Sequence, residues 1–172
     1  AFDGALMADP IVAIEDAGTA ECLCLTVDVD HTFTADDLVV HNTRLAVEWF
    51  VFWWLIKHPT HRVIVASYDD SLAQRAGKHI RALVAKYGAG YGLVMERGSA
   101  AAKDWSLSTG GGVRSVGIGS GITGHDGDLL IVDDPTKSRA EAESVLRRDG
   151  IWDWWSSEFS TRVVPGTRIL MI

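Results

Sequence analysis

Two clusters of side chains in this sequence hold reactive groups at spacings that could do chemistry. Asp128-Leu-Leu-Ile-Val-Asp133-Asp134-Pro135 is an apolar run closing on two adjacent carboxylates. That pattern is expected where a buried strand delivers acids to the carboxyl edge of a parallel sheet, the edge at which ligands bind. One carboxylate, Asp133, can hold Mg²⁺ directly or through water, and the next, Asp134, can orient or deprotonate a water that attacks a γ-phosphate. A solvated strand end that merely carries Asp-Asp is the plainer alternative. The second cluster is His41-Asn42-Thr43. An Asn side-chain amide can attack its own main-chain carbonyl and cut the chain as a succinimide. His41 stands where an imidazole can protonate the departing amine or polarise the carbonyl, and the Thr43 hydroxyl can accept an acyl group. Taken alone, this tripeptide reads as ordinary loop.

The elements that must position these groups change character near residue 42. Before it come short β-type units, Ile11–Ile14, Glu21–Val27, His31–Phe33 and Leu38–Val40, separated by Asp, Gly and Thr. After it, helix and strand alternate. Thr43 to His58 predicts a long apolar helix closed by Pro59, and Arg62 to Tyr68 a buried strand. Asp69 or Asp70 can cap a helix running to Tyr87 and ending at Gly88. Short strands are expected over 104–108 and 113–117 around Gly110-Gly111-Gly112. A Gly-rich loop, 117–127, leads to the acidic strand, followed by a helix over about 139–159 and a strand from Arg168. The alternation predicts an α/β fold, a mostly parallel sheet wrapped by helices and preceded by a small β segment.

Charge divides the chain at the same place. Residues 1–42 hold nine of the 23 acidic residues and none of the 16 basic ones, so the net charge of −7 conceals a slightly basic remainder. Cys22 and Cys24, the only two cysteines, sit one residue apart in a strand-like run and imply no disulfide framework, which fits a reducing cytoplasm. The most apolar stretch, Leu45 to Ile56, contains Glu48 and falls well short of the ~20 residues that span a bilayer, so no membrane association is expected. The chain opens on Ala1 and stops inside the apolar run Arg168–Ile172, so neither end reads as a natural terminus.

Two resemblances follow from these residues. Cys22 through Asn42, with its strand, His31-Thr-Phe33 turn and closing Val40-His41-Asn42, resembles the C-terminal splicing block of inteins, a segment of the Hint fold. The resemblance implies that Asn42 cyclises, His41 assists, and Thr43 is the first residue of the downstream host protein. His31 or Asp30 tunes the step or serves only the turn. Val116 through Lys137 is similar to the Walker B region of phage terminase large subunits. Val65 through Arg75 resembles the strand and helix after their P-loop, and Gly166 through Ile172 the strand leading to their coupling motif.

Together these give two expected parts: residues 1–42 from an intein, and 43–172 from a partial P-loop ATPase domain. The resemblance implies a viral DNA-packaging motor using ATP and Mg²⁺, with Asp133 and Thr43 as Mg²⁺ ligands and Asp134 in hydrolysis. Its implied partners are double-stranded DNA, a portal and a small terminase subunit, its parent a homo-oligomeric ring with a nuclease domain beyond residue 172, and its location the host cytoplasm. A Walker A loop ends Gly-Lys-Ser/Thr, so Thr43-Arg-Leu-Ala would complete one if the intein interrupts it between Lys and Thr. The Lys and glycines of that loop are absent from this sequence, as is the N-terminal splicing nucleophile, so the chain by itself should neither hydrolyse ATP appreciably nor complete splicing. A split-intein half carrying the downstream sequence as cargo is the alternative, and another helicase-like P-loop motor a weaker one. The seven tryptophans read as packing or interface residues rather than base-stacking platforms, and Arg75, Lys78, Arg81 and Lys86 on one helix as a solvated face, with phosphate contact as the alternative.

Overall fold

The computed structural model describes residues 32–35, 38–41, 44–98, 101, 103–122, 124 and 126–172. The strand-like units expected before Thr32, together with Cys22, Cys24, Asp30, His31, Asn42, Thr43 and His125 of the Gly-rich loop, lie outside the described residues. Within them, β1 (Thr32–Ala35) and β2 (Leu38–His41) form an antiparallel pair of their own, with Thr32 opposite His41.

The rest is an α/β fold around a five-stranded mixed sheet. A helical segment begins in π geometry, Arg44–Trp49, and continues as α1 (Phe50–Lys57). It leads through a tight turn into β3 (Arg62–Ser67), followed by α2 (Asp70–Tyr87), β4 (Asp104–Ser106) and β5 (Gly112–Gly117). β6 (Gly127–Asp133) then gives way to α3 (Arg139–Glu143), α4 (Val145–Trp154) and β7 (Val163–Met171). The strand order is β4-β5-β3-β6-β7. β5, β3, β6 and β7 run parallel, whereas β4 is antiparallel to β5 at one edge. The expected mostly parallel sheet is thus parallel in four strands, with a short antiparallel strand added where Trp105 pairs with Val113.

Alternation along β3 and β6 feeds two cores. Val63, Val65, Leu129 and Ile131 face the first helical segment and α2, and pack with Val47, Val51, Leu55, Ile80 and Val84. Ile64, Ala66, Leu130 and Val132 point to the other face, against Ile122, Trp154 and Phe159. A sheet sealed on both faces explains why these strands read as unbroken apolar runs.

Two expected elements have different bounds. The helix anticipated over 139–159 is interrupted at Ser144, whose backbone is extended and whose hydroxyl accepts from the Arg147 amide, so the residue ends α3 and caps α4. β7 starts at Val163 rather than Arg168. Its pairing with β6 shifts between Gly127 and Leu129, and the Thr167 hydroxyl donates to the Gly127 carbonyl across that irregularity. The bulge accommodates Pro165 and Gly166 inside the strand.

Candidate functional site

The chain leaves β3 toward β5 with α2 on one face, and leaves β6 toward β7 with α4 on the other. Adjacent strands whose connections depart in opposite directions open a crevice beyond their carboxyl ends. Here that crevice lies between Ser67 and Asp133, which are register partners at the ends of β3 and β6. The Ser67 hydroxyl donates to the Asp133 carbonyl at 2.7 Å, tying the two strand ends together.

The two acids are neighbours in sequence but not in environment. Asp133 is 2% exposed, on the face covered by the first helical segment and α2. Asp134 is exposed and has a φ of +45°, the only positive φ of a non-glycine residue among those described. Left-handed backbone costs most residues energy, but Asp and Asn tolerate it. The conformation turns the chain out of the sheet while the Asp134 carbonyl accepts from the Tyr68 amide at 3.1 Å and its amide donates to the Ile172 carbonyl at 3.4 Å.

Asp69 and Asp70, at the end of β3, divide the labour that the sequence left open between them. Asp69 is the cap of α2, accepting from the Leu72 amide at 2.9 Å and the Ser71 hydroxyl at 2.7 Å. The Leu72 amide, and after it the Ser71 hydroxyl, hold its carboxyl below the usual carboxylate range. Asp70 turns instead to the Gly-rich loop. It accepts from the Gly117 amide at 2.6 Å and from the Ser120 hydroxyl at 3.4 Å, with the Lys103 ammonium 3.4 Å away. Gly117 must be glycine for this approach, because a Cβ there would stand 2.6 Å from the Asp70 amide nitrogen. The first part of the loop, from Gly117 to Ser120, is therefore held beside the crevice. Trp154 holds it from the other side by donating to the Ser120 carbonyl at 3.1 Å.

The helical segment that starts at Arg44 also aims at this edge. It enters β3 through the turn at His58–His61 and runs alongside α2, with Glu48 meeting His79 and Phe52 meeting Tyr87. Its amino end consequently points toward the carboxyl edge, on the same face of the sheet as Asp133. The Glu48–His79 contact, 2.7 Å between Oε1 and Nδ1, had no signature in sequence spacing, because 31 residues separate the partners.

Of the residues singled out from sequence, Asp133 and Asp134 come together at the crevice. His41 ends β2, while Asn42 and Thr43 lie outside the described residues. Among the described residues no group of three or more His, Cys, Asp or Glu is placed to hold a metal ion. An open hollow lined by Arg62, Asp104, Ser106 and Arg114 lies at the opposite, amino edge and mixes charges of both signs. No helix among the described residues is long and apolar enough to cross a membrane. No family model matches the chain, and no curated protein matches it.

Proposed function

We propose that residues 43–172 form part of a nucleotide-hydrolysing motor domain of the terminase large-subunit type, interrupted at its phosphate-binding loop by an intein whose last residues are 1–42. The observation that carries the motor half is the placement of Asp133 and Asp134 at the crevice between β3 and β6. In this reading Asp133, with the Thr43 hydroxyl, holds Mg²⁺, which when bound would neutralise charge on the nucleotide phosphates. Asp134, exposed and turned out of the sheet, orients the attacking water and takes its proton. The donor set suits a hard cation only in part: carboxylates are at hand, but the lysine and glycine amides that would cradle phosphates are not in the sequence.

The separate antiparallel pair of β1 and β2, with His41 at its end, supports the second half of the reading. Asn42 would cyclise, His41 would assist, and Thr43 would become both splice acceptor and, after excision, part of the nucleotide site. In the assembled parent the partners would be double-stranded DNA, portal and small terminase subunit, with ATP as the substrate. The same placement of His41 also suits a split-intein half whose downstream sequence is cargo.

Asp134→Asn tests the motor reading in the spliced parent, because Asn keeps the shape and the tolerance of positive φ while removing the base. Turnover should fall by about 10²-fold or more with the melting temperature unchanged. Undiminished hydrolysis would remove Asp134 from the reaction.

A further inference from the structure

The outer surface shared by the first helical segment and α2 combines exposed aromatic rings with cations. Trp49, Tyr87 and Tyr91 are 41%, 41% and 59% exposed, far more than large aromatics that serve a core. They form one connected cluster: Trp49 lies 6.3 Å from Tyr87 between ring centroids, and both flank Phe52, which is 6.2 Å from Tyr91. On α2, Arg75, Lys78, Ala82 and Lys86 recur at intervals of three and four, so they share one exposed row beside His79. Lys86 sits 4.9 Å above the Tyr87 ring, joining the row to the cluster.

Among the described residues of the first helical segment and α2, acidic groups are withdrawn from this surface. Glu48, the one acid of the first helical segment, is buried and engaged by His79 at 2.7 Å and Arg44 at 3.5 Å. Asp70 stands at the far end of α2, committed to Gly117. From Arg75 to Tyr87 the helix carries no acid at all. The surface therefore complements a polyanion whose repeating groups also have flat apolar faces, and unpaired nucleotides satisfy both demands: phosphates for the row and bases for the rings. A duplex satisfies only the first, because its bases hide their faces in the stack.

We infer that this face binds single-stranded nucleic acid, with Trp49, Tyr87 and Tyr91 stacking on bases and Arg75, Lys78 and Lys86 neutralising phosphates. The inference does not rest on nucleotide hydrolysis and holds whether or not Asp134 acts as proposed, since binding is read without ATP.

The full chain is titrated with a fluorescently labelled 20-nucleotide oligo-dT, a duplex of equal length and unlabelled polyglutamate as competitor, with anisotropy as readout. The single strand should bind more tightly than the duplex. Tyr91→Ala should weaken single-strand binding by about fivefold or more, leaving the weaker duplex binding unchanged. Arg75→Gln combined with Lys86→Gln should lessen the slope of log K against log salt by about 1.4. Circular dichroism and thermal melting keep the variants comparable. The inference is overturned by absence of binding, by duplex binding as tight as single-strand binding, or by insensitivity to Tyr91→Ala. Equal competition by polyglutamate also overturns it, and would make the surface a dock for an acidic protein segment.

Discussion

Replacing Asp70 with Ala should loosen the Gly-rich loop from the crevice, and the size of the effect follows from its contacts. Asp70 accepts from the Gly117 amide at 2.6 Å, and a hydrogen bond to a charged acceptor contributes about 1.5–3 kcal/mol. Its side chain is 44% exposed, so solvent screening cuts that to roughly 1–1.5 kcal/mol. The Lys103 contact at 3.4 Å, between partners of similar exposure, adds at most about 0.5 kcal/mol. A loss of about 1.5 kcal/mol corresponds to a Tm lower by about 3–6 °C for a chain of this size. Asp70→Asn keeps an acceptor facing Gly117 and removes only the charge, so it should lose about half as much. Thermal melts of the three proteins test the ranking, and hydrogen exchange at the Gly117 amide tests the cause, since that amide should exchange faster in the Ala variant. An Ala variant with unchanged Tm and unchanged Gly117 exchange would refute the assignment. An Asn variant as damaged as Ala would show that charge, not the hydrogen bond, anchors the loop.

Gly117→Ala should destabilise the fold by about 1–3 kcal/mol, because its new Cβ meets main chain rather than a yielding side chain. Gly90→Ala, with nothing within 4 Å, is the control in the same urea titration and should cost far less. Stability should also fall with acidification below about pH 6.5. Burial, then His61 and Arg168, hold the His58 pKa below its ordinary value, against the opposing pull of Asp128. The unfolded chain then binds the proton first, so stability present above the unfolded pKa is lost as pH falls through the folded one. His58→Gln should flatten that decline in denaturation midpoints measured between pH 7 and pH 5, and an undiminished decline would assign it to other groups.

Much of this fold was legible because each sealed strand leaves an unbroken apolar run. Arg62–Ser67 and Gly127–Asp133 announced themselves that way, and α2 by its capping Asp and its closing Gly88. β4 falls inside the strand expected over 104–108, but its antiparallel direction was hidden, since three residues pairing at an edge leave no directional signal in sequence. The break at Ser144 was hidden because Ser is tolerated inside helices, and only the extended backbone reveals it as a cap. Pro165 and Gly166 concealed the first half of β7, where a bulge absorbs what would otherwise end a strand. At the site, the paired acids were visible as a motif, whereas the burial of Asp133 and the positive φ of Asp134 depend on how β6 meets β3. Asp70 and the Glu48–His79 contact depend on partners 47 and 31 residues away, a separation that no local pattern encodes.

The central claim, that a self-excising segment ends at Asn42 and a nucleotide-driven motor resumes at Thr43, is tested most directly by phosphate release from the chain joined to its upstream segment. Wild type and Asn42→Ala would be followed side by side under splicing conditions. The account predicts ATP hydrolysis that rises in the wild type as the segment is excised and stays at background in Asn42→Ala. Equal hydrolysis in both, or none in a wild type already freed at Thr43, would contradict it.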